Sequence, residues 1–180
     1  MENFKKETLF ILTIIISACG SLGHVKKELS KKPSICVQYS AQKEKGVGID
    51  SLPPLEIPAG YKSIAELVVT ILKSDLPSEK VKLISDAGKG CEMFFAVNII
   101  SVGASPTHRI PSVIKGTILV RDATKPLDTF DLFSLGRTVD GGSIEAGDKL
   151  LLAPDSLEQN KKDASANLKS WIEKVKAAKE

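Results

Sequence analysis

The sequence predicts an α+β fold, a mostly antiparallel sheet of about five strands with two main helices packed on it. Three observations carry this expectation. Met93-Phe94-Phe95-Ala96-Val97-Asn98-Ile99-Ile100 is the most apolar stretch beyond the first twenty residues and reads as a central strand covered on both sides. Val113 to Arg121 and Leu127 to Leu135 flank the turn Asp122-Ala123-Thr124-Lys125-Pro126, as the arms of a hairpin do. Two other stretches, 62–75 and about 155–179, carry apolar residues at helical spacing.

Taken in order, residues 1–18 have the pattern of an export signal. Lys5 and Lys6 give a positive start, Leu9 to Ile16 is an apolar run, and Ser17-Ala18-Cys19 closes it with small residues. The run is about half the roughly 20 residues a permanent bilayer-spanning helix needs. The ending Ile16-Ser17-Ala18-Cys19 resembles the lipobox of bacterial lipoproteins: a branched residue, two small ones, then cysteine. That resemblance implies cleavage before Cys19 and fatty chains, such as palmitate, on Cys19 as the new amino terminus. The alternative is a secreted protein in which this cysteine is incidental. Gly20 stands where many such lipoproteins carry the aspartate that retains them at the inner membrane. The same resemblance therefore implies an outer-membrane protein facing the periplasm.

Residues 19–33 read as a lipidated cysteine and a flexible tether, and 34–180 as a single domain. Lys26, Lys27, Lys31 and Lys32 suit a segment beside anionic headgroups, or merely a solvated linker. Ser34 to Ser40 alternates in the manner of a first strand. Pro53, Pro54 and Pro58 with three glycines make 46–60 a loop. The 62–75 helix has Ser63 and Glu66 three apart, the spacing of a capping box. Its stripe is Ile64, Leu67, Val68, Ile71 and Leu72, and Pro77 marks its end. Val81 to Ile84 is a short strand, Asp86 to Gly90 a turn, and 103–111 a loop holding His108 and Arg109. After the hairpin come glycines Gly136, Gly141, Gly142 and Gly147, then Leu150-Leu151-Leu152. Asp155 or Ser156 can cap the last helix, whose stripe is Leu168, Trp171, Ile172 and Val175.

Of the 180 residues, 162 remain without the signal, enough for one domain with a real core. A formal charge of +3 is too small and too dispersed to argue for nucleic acid. With Cys19 committed to lipid, Cys36 and Cys91 are an even pair in an export compartment. A bridge between them is expected, two buried free thiols being the alternative.

The element order also resembles a group of bacterial envelope modules, the TolB amino-terminal domain and the lipoproteins of curli and Pel secretion. The likeness rests on Cys91-Glu92-Met93-Phe94-Phe95, a strand opened by an acidic residue, and on the turn Asp122-Ala123-Thr124-Lys125. The chain departs from the pattern at Ala96-Val97-Asn98, where the group has a glycine. The resemblance implies a scaffold or secretion accessory, often assembled into rings, with no catalytic residues to carry over.

Catalytic chemistry has little to stand on. His24 falls in the tether and His108 is the only histidine of the domain, with no nucleophile motif around either. Cys-x-x-Cys and His-x-x-x-His spacings are missing, so neither a metal nor a cofactor is expected. Gly46-Val47-Gly48 and Gly88-Lys89-Gly90 read as turns rather than phosphate cradles. Asp128 with Asp131, and Glu145 with Asp148, read as solvated carboxylates, Asn98 as a satisfied core amide and Trp171 as core rather than a ligand platform. The expectation is a non-enzymatic, lipid-anchored envelope protein that contacts other envelope proteins or copies of itself. Capture of a small ligand or glycan through the 46–60 and 103–111 loops is the alternative, and a hydrolase with a dispersed site a third reading.

Overall fold

The computed structural model describes residues 22–45, 53–54, 56–76, 80–85, 90–103, 113–133 and 154–179. Among them lie five strands, β1 (Ile35–Glu44), β2 (Val81–Ile84), β3 (Met93–Val102), β4 (Val113–Asp122) and β5 (Pro126–Phe133). Three α-helices accompany them: α1 (22–30), α2 (Lys62–Asp75) and α3 (Pro154–Ala177). The class is α+β, as expected. The strands form one sheet in the order β2-β1-β3-β4-β5.

The sheet is mixed rather than antiparallel throughout. β1 is parallel to both β2 and β3, while β3–β4 and β4–β5 are antiparallel. The cause is connectivity. Helix α2 carries the chain back along the sheet, so β2 starts level with β1, Ile35 opposite Val81. β3 then pairs with the other edge of β1, again in parallel, with Ile35 opposite Met93.

One face of the sheet builds the core. Ile35 and Val37 of β1, Met93, Phe95, Val97 and Ile99 of β3, and Ile114, Ile118 and Val120 of β4 are all buried on it. They are alternate residues, as a pleat covered on one side requires. Ile64, Ala65, Val68, Ile71 and Leu72 of α2 and Ala164, Leu168, Trp171, Ile172 and Val175 of α3 pack against them. Both-sided cover of β3 is not what the described residues show. Ala96, Asn98, Ile100 and Val102 point the other way and are half-buried. The Asn98 side chain is satisfied there, its Oδ1 accepting from the Ser40 hydroxyl at 2.6 Å.

Two further expectations are corrected. Residues 22–30 are not a flexible tether but a helix, with Val25 and Leu29 buried in the core and Leu22 packed against it. Leu22, Val25 and Leu29 recur at i, i+3, i+7, an apolar stripe hidden among lysines. The folded unit therefore takes in residues before Ser34. Nor does Ser63 cap α2. A 3-10 turn, Ala59–Tyr61, precedes the helix, so Ser63 lies inside the first turn and its hydroxyl donates to the Gly60 carbonyl.

Gly116 of β4 faces Phe133 of β5 at a register shift. A Cβ there would stand 2.2 Å from the Phe133 ring, which is itself buried. Gly116→Ala is expected to lower stability by about 1–3 kcal/mol, the ordinary range for overpacking. Thermal melts should show it, and combining it with Phe133→Leu should recover part of the loss. An unchanged melting temperature would mean that the ring steps aside freely.

Candidate functional site

Cys19 and the signal segment lie outside the described residues, as do His108, Arg109, Glu145, Asp148, most of the 103–111 loop and 46–52 of the first loop. The other cysteines are where chemistry can be read. Cys36 and Cys91 are joined in a disulfide, Cα to Cα 5.8 Å. It lies on the sheet face away from the core, in a small cluster with Phe94 and the half-buried Ile84.

The sequence builds this clasp from register. Cys36, Phe94 and Arg121 are cross-strand neighbours on β1, β3 and β4. The Arg121 guanidinium lies over the Phe94 ring, 4.2 Å from its centroid, where the ring's negative face attracts a cation. Gly90, with φ of 97°, supplies the left-handed residue that turns the chain into Cys91. Glu92 closes the same end. Its carboxylate accepts from the Ser34 amide at 2.9 Å, while its own amide donates to the Ser34 carbonyl at 3.0 Å. The disulfide and these bonds fasten residues 90–92 onto the start of β1.

The hairpin turn is organised in the same way. Asp122 Oδ1 accepts from the Thr124 amide, the Thr124 hydroxyl and the Lys125 amide, at 2.7, 2.8 and 2.8 Å. These bonds, the Thr124 amide first among them, lower the Asp122 pKa to about 2 and keep it ionised at neutral pH. Glu92 and Asp122 belong to the two motifs on which the envelope-module resemblance rests. Each has a local structural task.

The acidic pair Asp128 and Asp131 is not brought together, since residues three apart on a strand point to opposite faces. Asp131 is exposed, whereas Asp128 accepts from the Trp171 indole at 2.7 Å. Trp171 is core: it stacks on Phe130 and meets Phe95 edge-on. His24 is half-buried on α1. Among the described residues no three histidine, cysteine or acidic side chains converge as metal ligands, and no helix is long and apolar enough to cross a membrane.

One open groove, about 480 Å³, lies past the end of β2 and is lined by Tyr39, Lys62, Leu83, Ile84 and Ser85. Burial pushes the Tyr39 hydroxyl pKa up. Sequence reading missed this groove because its lining comes from three separate elements. It also missed the position of α1, which brings lysines of residues 26–32 to the end of α3. Lys26 Nζ donates to the Ala178 carbonyl at 2.8 Å.

Comparison with family models, curated proteins and solved structures finds no match for this chain.

Proposed function

We propose that the chain is a lipid-anchored cell-envelope protein without catalytic activity, a scaffold or accessory within a secretion or assembly complex. Cys19 is its lipid-bearing residue, and the outer membrane, on the periplasmic side, is its location. The observation that carries the reading is the Cys36–Cys91 disulfide in a chain that opens with a lipobox-like export signal. Structural disulfides persist in oxidising compartments outside the cytosol. The bridge and the signal thus point to one compartment by unrelated chemistry.

The test is the anchor itself. Cells fed an alkyne-tagged fatty acid should yield tagged native protein in the membrane fraction. Cys19→Ser should carry no tag and leave that fraction. A native product whose residue 19 is unmodified, or that keeps residues 1–18, overturns the reading. Crosslinking in cells then asks for the envelope partner or second copy that a scaffold requires.

A further inference from the structure

We propose that the folded unit lies directly against an anionic bilayer surface, in one orientation, through a basic corner formed by α1 and the end of α3. The inference rests on Cys19 as the lipid anchor and adds to it a protein surface and a defined pose.

Chain length comes first. Residue 22 is the first described residue of α1, whose stripe is locked into the core, and only residues 20 and 21 stand between it and Cys19 in the sequence. Three Cα steps span at most about 11 Å. Lys26 lies four residues into the helix, about 6 Å along its axis. The Lys26 backbone, whose side chain reaches Ala178, is therefore within about 17 Å of the lipid-bearing residue. A domain on so short a leash cannot turn freely, and this corner is what it presents to the headgroups.

Charge comes second. Lys26, Lys27, Lys31 and Lys32 of the first segment meet Lys174, Lys176 and Lys179 of the last through that contact. Among the described residues of these two segments, Glu28 and Glu173 stand against the seven and pair with Lys31 and Lys176. Lys27, Lys32, Lys174 and Lys179 are exposed. Of the other described acids near this end of the sheet, Asp75 accepts from the Ser74 hydroxyl, Glu92 from the Ser34 amide, Asp122 from the amides of its own turn and Asp128 from the Trp171 indole. Each lysine near an anionic surface adds attraction that fades within a Debye length. The far end of the sheet, with Lys43 and Lys45, is about 26 Å away along β1 and beyond that reach.

Lysine acetylation read by mass spectrometry tests the pose. The native lipidated protein is placed in vesicles of equal parts phosphatidylglycerol and phosphatidylethanolamine, and in phosphatidylcholine alone. In the anionic vesicles Lys27, Lys32, Lys174 and Lys179 should label several-fold more slowly than in phosphatidylcholine, with Lys43 and Lys45 unchanged. Salt at 1 M should remove the difference. Lys27→Glu with Lys32→Glu should also free Lys174 and Lys179, because the corner acts as one surface. Equal labelling in both vesicles, with Cys19 acylated, overturns the docking and leaves the anchor standing. An unacylated Cys19 in the same spectra brings down the anchor and this inference together.

Discussion

Reducing the Cys36–Cys91 bridge is expected to lower the stability of the folded unit by about 4 kcal/mol, as loop-closure entropy predicts for so wide a ring. The two cysteines are 55 residues apart, so opening the bond releases the unfolded chain from a large closed loop and raises its entropy. Domains of this size have about 5–15 kcal/mol in total, which makes the bridge a substantial fraction. The location adds to the effect. The bridge ties residues 90–92 to the start of β1 on the face away from the core, where Cys36, Cys91 and Phe94 are buried with Ile84 packed against them. Urea unfolding with and without reductant measures the difference, on the same side chains and without mutation. Cys36→Ala with Cys91→Ala should behave like the reduced protein. Thiol titration of denatured protein isolated from its native cells should find neither cysteine free. Curves that coincide with and without reductant, to within a few tenths of a kcal/mol, would remove the bridge from the account of stability.

What could be read from the chain beforehand followed from how local the cause was. The 62–75 helix was legible at both ends because one stripe, Ile64 to Leu72, lay between a loop and Pro77. The β4–β5 hairpin was legible because Asp122 and its neighbours carry the turn within five residues. The disulfide followed from compartment logic once Cys19 was set aside. Less local causes stayed hidden. Strand-helix-strand already signals a parallel crossover, but β2 is so short that the antiparallel hairpin dominated the expectation. The α1 stripe of Leu22, Val25 and Leu29 was masked by lysines that outnumber it. The supposed capping box failed because the Ala59–Tyr61 turn leads straight into α2 at Lys62, which puts Ser63 inside the helix and not at its cap. The lysine corner required both α1 and its contact with Ala178, and no spacing rule links residues 152 apart.

Trp171→Ala is expected to be the most damaging single substitution, lowering stability by about 3–5 kcal/mol, the range for truncating a large buried aromatic. Trp171 is where α3 meets the sheet. Its ring stacks on Phe130 of the edge strand at 4.9 Å between centroids and touches Phe95 of the central strand edge-on at 5.7 Å. Its indole N–H donates to Asp128 of that same edge strand. A few residues earlier, Asn167 donates to the Leu132 carbonyl at 2.9 Å, so α3 grips β5 at two points. Truncation leaves a cavity between three elements and an acceptor without its donor. Trp171→Phe, which folds more readily, is the informative companion. It keeps most of the ring contacts and removes only the hydrogen bond to a carboxylate, expected to cost about 1.5–3 kcal/mol. Pairing it with Asp128→Ala closes a cycle by urea unfolding: two effects that merely add, within about 0.5 kcal/mol, would show that the indole and the carboxylate are not coupled. The chain has one tryptophan, so in the native protein its fluorescence reports this joint alone. The same joint bears on the membrane surface proposed above. Lys174, Lys176 and Lys179 follow Trp171 directly, and the Lys26–Ala178 contact holds only if the last turns of α3 stay seated. Trp171→Phe should therefore weaken the protection of Lys174 and Lys179 in anionic vesicles in step with its loss of stability, while Lys27, held by α1 beside the anchor, stays protected.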